Sequence, residues 1–585
     1  MPQKSALGFL AAIVILACTF VLFSPTMGFD FVNWDDDMYV YENDRVQALT
    51  LENVTWFFSH SYYHSYIPLT MFSHMIDFEI WRFNPSGHHL TSVVLHAFNA
   101  VWVFLLSLQL FSVLKHGIAV RGFRELLFRE VDHAIIFSAA FAACLFAWHP
   151  LRVESVAWIS DRKDLLCFFF LIPATIVYIN YTAARGTPNA RRWYLTSLFM
   201  FLLACLSKSI AVVAPVVFLI IDVAVLRRKR TGESPKNLLI EKTPFFLAGI
   251  IFSVLAVRST PELSASDMYN ILTPLQRILL PFHNLVLYAG RTLFPSDLSP
   301  MYPLAGEGEM MATFALFAAV FVACLLLFFK KEIRMPLYLL MAYIVLAAPS
   351  AGFASAVVQT TADRYSYLSS VPLYFPAGWI VGKLIEKFRS RDTNVYAIAS
   401  VAVLVAGFFG YQSFRQLPMW MNSETLWGRT IALFPTMPLP HNNYGLALQG
   451  RGALDKAEES FQRAIQLKPD YLEAHLNLGN IMFTKGNWDE AERLFLRASE
   501  LYPNQAEVYN NLGVVANTKG NTLDALHWFR RSVEVNPDYA HGYFNLGVLY
   551  EKMGNPIAAT EELKKAARLG HLAAQHSLTK AGVAW

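Results

Sequence analysis

Asn443-Tyr444-Gly445, Asn477-Leu478-Gly479, Asn511-Leu512-Gly513 and Asn545-Leu546-Gly547 are one triplet written four times at intervals of 34 residues. Gly452, Gly486, Gly520 and Gly554 keep that interval, as do Ala457, Ala491, Ala525 and Ala559, and Pro469, Pro503 and Pro537. Small residues at fixed offsets in a repeat of this length predict paired antiparallel helices stacked side by side. The glycine of each triplet lets a first helix approach its partner. The later glycine ends that helix in a turn, and the proline closes the second helix. The period also extends backward, because Trp427, Ile431, Leu433 and Pro435 stand 34 residues before Phe461, Ile465, Leu467 and Pro469. A lone helix of the second type is therefore expected over 421–435, and a closing helix over 569–585.

The period is that of a tetratricopeptide (TPR) hairpin, but it accounts only for the end of the chain. Of the 585 residues 55% are hydrophobic and 16% charged, against about a quarter charged in soluble domains. The apolar excess lies before residue 415, in runs that can cross a bilayer singly or within a bundle. They predict eleven spans, at 6–24, 90–114, 134–148, 164–182, 194–207, 210–226, 243–257, 311–329, 335–349, 369–386 and 395–413. Lys and Arg gather in 115–132 (among them Arg121 and Arg129), 183–193, 227–242, 330–334 and 387–391, which places those loops in the cytoplasm. The loop 25–89 holds only Arg45 and Arg82 and belongs outside. Residues 274–294 are apolar but interrupted by Pro281, His283, Asn284 and Arg291. A span there would invert Lys330 and Lys331, so charge parity favours an interfacial or re-entrant segment. The first run, Ala6–Phe23, has no small-x-small cleavage site and reads as a retained span. The expected organisation is all-α: a membrane domain over 1–415, a junction with the lone helix over 416–440, and an α-solenoid of four repeats over 441–585. The N-terminus then faces the cytoplasm and the array the outside. The net charge of +4 implies no nucleic-acid partner, since the cations flank spans. The cysteines (Cys18, Cys144, Cys167, Cys205 and Cys324) sit in apolar runs and read as small core residues.

Ionisable groups on the outer side carry the candidate chemistry. Asp35, Asp36 and Asp37 follow one another just beyond the first span. Crowded carboxylates raise at least one pKa, which suits a general base; a solvated acidic turn is the plainer reading. The triplet can attract a divalent cation but brings no complete ligand set, so no metal site is assigned. His149, Arg152, Glu154, Asp161, Arg162, Lys163 and Asp164 crowd into sixteen residues between two spans. Cations kept outside against the positive-inside trend call for an anionic ligand, the acidic first loop, or an ion-pair network of their own. At Asp363-Arg364-Tyr365 an arginine at the interface fits a lipid-linked phosphate, which it can grip with two parallel bonds; a local Asp363–Arg364 pair is the alternative. Lys208 stands at an outward turn, where it can meet the same phosphate or snorkel. The histidines of the first loop, His60, His64, His74, His88 and His89, lack a metal-ligand spacing. There is no Gly-rich phosphate loop, nucleophile elbow or Cys-x-x-Cys, so a soluble nucleotide-sugar site is unsupported.

These outside motifs, in this order, resemble the transmembrane and tetratricopeptide-repeat O-mannosyltransferases, membrane glycosyltransferases of the GT-C fold. The resemblance rests on Phe31-Val32 to Asp35-Asp36, Pro68-Leu69-Thr70, Asn84-Pro85-x-Gly87-x-His89-Leu90 and Leu95-His96. It continues through His149-Pro150-x-x-x-Glu154-Ser155-Val156-Ala157, Asp164-Leu165-Leu166, Leu206-Ser207-Lys208 and Ala362-Asp363-Arg364-Tyr365-x-Tyr367-Leu368. It implies transfer of a sugar from a polyprenyl-phosphate carrier to a protein hydroxyl, on the outer or lumenal side. Carried over, Asp35 or Asp36 would deprotonate the acceptor in an inverting displacement. Arg364, with Lys208 or Arg162 and beside Tyr365, would hold the leaving phosphate. The array itself predicts a concave groove, around Asn443, Asn477, Asn511 and Asn545, that holds an extended segment of the acceptor protein; a generic scaffold for a partner is the alternative. Two positions depart from the family pattern: Ile67, where Arg commonly precedes Pro-Leu-Thr, and Ser209, where Glu commonly follows Ser-Lys. The short array points to a bacterial relative, with the array in the periplasm; in a eukaryote it would be lumenal. A polysaccharide ligase or polymerase and a non-catalytic membrane-anchored TPR scaffold are the other readings.

Overall fold

A computed structural model describes residues 6–63, 65–117, 122–128, 131–228, 232–259, 272–330, 334–353 and 360–585. His64, Arg121, Arg129, Lys229, Arg230 and Lys331, which bear on the histidine and topology expectations, lie outside them. The described residues are helices and connecting turns without strands; one isolated bridge joins Tyr62 and Ser65. The chain divides into two units, Met1–Arg429 and Thr430–Trp585.

In the first unit each expected span falls on a helix. By length and composition six can cross a membrane: Leu7–Gly28, Pro85–His116, Ile159–Ala183, Pro235–Arg258, Glu307–Phe329 and Asp392–Trp420. The number rises to eight if two pairs bent by 56°, His133–Ala147 with Pro150–Ala157 and Asp363–Ser369 with Val371–Lys387, each count as one. That is fewer than the eleven read from apolar runs. The remaining helices are short, as at Ser209–Ala224 and Met335–Ser350, or too polar. Pro274–Leu293, the interrupted segment, is a helix outside the spanning set, started by a Thr273–Gln276 capping box.

Burial separates central from peripheral helices. In Pro85–His116 and Ile159–Ala183, 78% of the most apolar stretch is buried, whereas no residue of that stretch in Glu307–Phe329 is, as suits a peripheral, lipid-facing helix. The central helices carry polar side chains whose bonds are made inside the bundle. His96 meets the Tyr367 hydroxyl at 2.7 Å and the Ala147 carbonyl at 2.9 Å. Asn99 donates to the Leu165 carbonyl, and Gln109 to the Asn180 side chain. Not all cations of the 227–242 loop are topology markers: Arg228 and Lys242 pair with Asp222 and Glu241 in a buried cluster under Tyr178.

The second unit is the array. First helices Pro438–Gly450, Leu472–Thr484, Ala506–Thr518 and Ala540–Lys552 alternate with second helices Leu454–Leu467, Trp488–Leu501, Thr522–Val535 and Pro556–Arg568; Leu572–Lys580 closes the run. The triplet glycines are where the two helices touch. A Cβ on Gly445, Gly479 or Gly513 would stand 2.6, 2.4 or 2.4 Å from the ring of Phe461, Phe495 or Phe529. Gly452, Gly486, Gly520 and Gly554 take φ of +76 to +84°, the left-handed turn that ends each first helix. Neighbouring repeats are tied through side chains at the same period. Asn477 donates to Asn442 and Asn545 to Asn510, and Lys485 and Lys519 each reach two carboxylates of the preceding repeat.

Candidate active site

The acidic triplet does not act as a unit, because the backbone splays it. Asp35 takes φ +68°, the left-handed region that Asp tolerates better than most residues. Its two neighbours bond elsewhere. Asp36 is buried: its Oδ2 accepts from the Val32 amide at 3.0 Å, and its Oδ1 accepts from the Ser160 amide at 3.0 Å and the Ser160 hydroxyl at 2.5 Å. Asp37 accepts from the Met38 amide in its own turn. The Asp35 carboxylate makes no hydrogen bond among the described residues, and the charges of Lys163 and Arg364 act on it. Burial raises its pKa, with those two cations opposing and Asp37 adding to the rise. Burial also lifts Asp36, to about 7, against the donors of Ser160 and Val32.

Three cations from three segments converge here. The Arg364 guanidinium bonds Glu154 Oε1 at 2.5 Å, and its backbone amide bonds Glu154 Oε2 at 2.9 Å. The same guanidinium lies 5.0 Å over the Trp158 ring and 4.9 Å over Tyr365. Lys208 bonds Asp164 at 2.6 Å and lies 6.0 Å over Tyr365. The Lys163 ammonium rests over Tyr39 and Trp158 at 4.9 and 5.6 Å and forms no ion pair among the described residues. Asp161 is buried, with neither carboxylate oxygen hydrogen-bonded among the described residues.

Other expected site residues are engaged structurally. Arg162 is buried on Asp77 at 2.6 Å and on the His88 carbonyl at 2.9 Å. Arg152 is buried against Ser366 and Ser370, under the rings of Phe146 and Tyr367. His149 bonds the Thr292 carbonyl and caps the turn at Leu151. Asp363 does not pair with its neighbour Arg364; it accepts from Arg291 at 3.1 Å and from the Tyr302 hydroxyl at 2.8 Å. His89 is buried edge-on to Phe29. Among the described residues no three carboxylate, imidazole or thiolate groups gather as a metal ion requires. Asp77, Ser160 and Tyr302 were not singled out from sequence, and Arg291 only as an interruption of the apolar segment 274–294. Of these only Asp77, a lone carboxylate in the apolar run Met75-Ile76-Asp77-Phe78, carries a visible signal. In the array, the amide of Asn477 is used in its ladder with Asn442, that of Asn545 in its ladder with Asn510, and Asn443 accepts from Asn442. Position 476, opposite Asn511, is Leu, so the ladder is interrupted there.

Comparison with known proteins adds two kinds of likeness. Family models described as "Tetratricopeptide repeat" and "Est1 DNA/RNA binding domain" match residues 448–512 and 491–570. The chain is 28% identical over 220 residues to human protein O-mannosyl-transferase TMTC4, covering 36% of this chain and 28% of that protein. It is 23% identical over 468 residues to the Caenorhabditis elegans protein O-mannosyl-transferase F38B6.6, covering 77% of this chain and 62% of that protein. The chain is TMTC-like. A Xenopus laevis relative, protein O-mannosyl-transferase tmtc2, is 25% identical over 258 residues, 42% of this chain and 28% of that protein. The TMTC-like chain thus spans about a quarter of the length of the vertebrate relatives it matches, and 62% of the worm one. Among solved structures, a crystal structure of MamA matches 26% of this chain and 90% of that one at 22% identity and a TM-score of 0.24. Pseudomonas aeruginosa PilF matches 25% and 68% at 20% identity and a TM-score of 0.24.

Proposed function

We propose that this chain is a membrane glycosyltransferase that moves a sugar from a polyprenyl-phosphate carrier to a hydroxyl of an exported protein, with inversion. Asp35 takes the proton of the acceptor hydroxyl. The hydroxyl oxygen bonds the anomeric carbon, the bond from that carbon to the phosphate oxygen breaks, and the polyprenyl phosphate leaves. Arg364, Lys208 and Lys163 face the growing phosphate charge, and Tyr365 lines the same place. Arg162 is given no part in this, since it is fully buried on Asp77 and the His88 carbonyl, away from the Tyr365 and Trp158 rings that the three other cations share. The reaction takes place on the periplasmic side of a bacterial inner membrane, with the N-terminus cytoplasmic. The array binds the acceptor.

One observation carries the reading. Of three adjacent carboxylates only Asp35 is left without hydrogen bonds among the described residues, and it is the one beside the cations. A base must be free to receive a proton, and a half-buried base with a raised pKa holds one more readily near neutral pH. The O-mannosyl-transferase names of the relatives give the reaction class. The test is a deletion strain complemented with Asp35→Asn, with exported proteins surveyed for O-linked hexose by mass spectrometry. Loss of the glycan at normal protein levels is expected; full glycosylation would refute the assignment. A glycan acceptor in place of a protein would appear as altered surface polysaccharide with unmodified exported proteins.

A further inference from the structure

The aromatic position of the first three repeats, Leu563 in the fourth, has one job in the array. Phe461, Phe495 and Phe529, 34 residues apart, receive the triplet glycine of their own first helix. Counting back one period reaches Trp427, in the helix Ser423–Leu433, which has no first helix before it. Trp427 is nonetheless fully buried. What covers it is the acidic loop. The Trp34 and Trp427 rings meet edge-on at 5.1 Å, and the Trp427 indole donates to Asn33 Oδ1 at 2.7 Å. The Asn33 amide donates to the Ser423 hydroxyl at 2.8 Å, and the Asp30 amide to the Met421 carbonyl at 2.9 Å. From the other side the Trp158 indole donates to the Trp34 carbonyl at 2.6 Å, and Trp158 stacks on both Trp34 and Trp420. Two residues beyond Asn33 stands Asp35, held in a left-handed backbone.

We infer that Asn33, Ser423 and Trp427 are positioning residues for Asp35, and that the loop Asn33–Trp34 fills the place which a first helix fills in every later repeat. An indole at this point does what a phenylalanine cannot, because it offers a ring to Trp34 and an N–H to Asn33. Ser423 and Trp427 lie in the last helix that begins in the membrane unit, so the end of that unit also sets the backbone carrying the base. A free carboxylate has no bonds of its own to fix it, and its aim depends on the backbone on either side: Asp36 pinned by Ser160, Asn33 pinned by Ser423 and Trp427.

The inference rests on the proposed role of Asp35 and is tested with full-length protein in detergent, a polyprenyl-phosphate sugar and an acceptor peptide. Trp427→Phe keeps a ring and loses the donor; Ser423→Ala, at a half-buried site, loses only the hydroxyl. Each is expected to lower kcat by roughly tenfold or more with the donor KM unchanged, as displacement of a reacting group does. Ser423→Thr should restore the rate. Asn33→Ala combined with Trp427→Phe should cost less than the product of the single effects, since both remove one bond. Wild-type kcat in folded Ser423→Ala and Trp427→Phe overturns the inference, as does a loss confined to KM. If Asp35→Asn itself keeps full activity, the reading of the base has failed instead.

Discussion

Asp35 and Asp36 are neighbours with the same side chain, and replacing each by Asn should have opposite consequences. Asn at 35 removes no hydrogen bond among the described residues and tolerates φ +68° as Asp does, so the fold should change by no more than about 0.5 kcal/mol. Loss of a general base, however, should lower the proposed transfer rate by about 10²–10⁴-fold. Asn at 36 faces three donors with one acceptor oxygen and one NH2 group. Whichever way the amide turns, a buried N–H is aimed at either the Val32 amide or the Ser160 amide and hydroxyl. Leaving a buried donor unmatched costs about 1–3 kcal/mol. Thermal unfolding of purified protein in detergent, followed by tryptophan fluorescence, and transfer of labelled sugar to a peptide read the two effects separately. Asp35→Asn should unfold with the wild type and fail to transfer; Asp36→Asn should unfold earlier and lose activity only as far as the loop shifts. A stable, inactive Asp36→Asn beside an active Asp35→Asn would refute the division of roles.

The pH dependence should run in two directions. Transfer needs Asp35 ionised, so the rate should fall as pH drops through its raised pKa, with an acid limb above the ordinary carboxylate range in a kcat profile. Asp36 binds its proton more tightly folded (about 7) than unfolded (3.8), so its contribution to stability is present at low pH and lost as pH rises across that window, readable in unfolding midpoints. Arg364→Lys keeps the charge and the backbone bond to Glu154 but not the planar guanidinium, and should raise the donor KM by about tenfold, or about 1.4 kcal/mol, in steady-state kinetics. In the array, Gly479→Ala drives a Cβ to 2.4 Å from the Phe495 ring, which is buried and cannot swing away. It should cost about 1–3 kcal/mol and speed hydrogen exchange in Leu472–Thr484 and Trp488–Leu501.

The array was legible because its packing is local. Gly479 and Phe495 meet across one hairpin, and the same sixteen-residue offset recurs at Gly445–Phe461 and Gly513–Phe529, so spacing alone encodes the contact. The central spans were legible from apolar length, although length cannot tell a crossing helix from a bent one, as the 56° break after Ala147 shows. At the site, adjacency misled. The alternative reading of Asp363-Arg364 as a local ion pair fails, because successive residues of a tight turn point apart, and each finds a partner from a distant segment: Arg291 and Tyr302 for one, Glu154 for the other. Asp35-Asp36-Asp37 reads as a cluster, but a single left-handed residue sends the three carboxylates to different neighbours, and the decisive partner, Ser160, lies 124 residues away. Such pairings are fixed by tertiary contact and leave no periodic trace. Trp427 stands between the two cases. Its place in the period marks it as the aromatic of a lone second-type helix, and only the fold shows that it is buried and that its cover is the loop carrying Asp35.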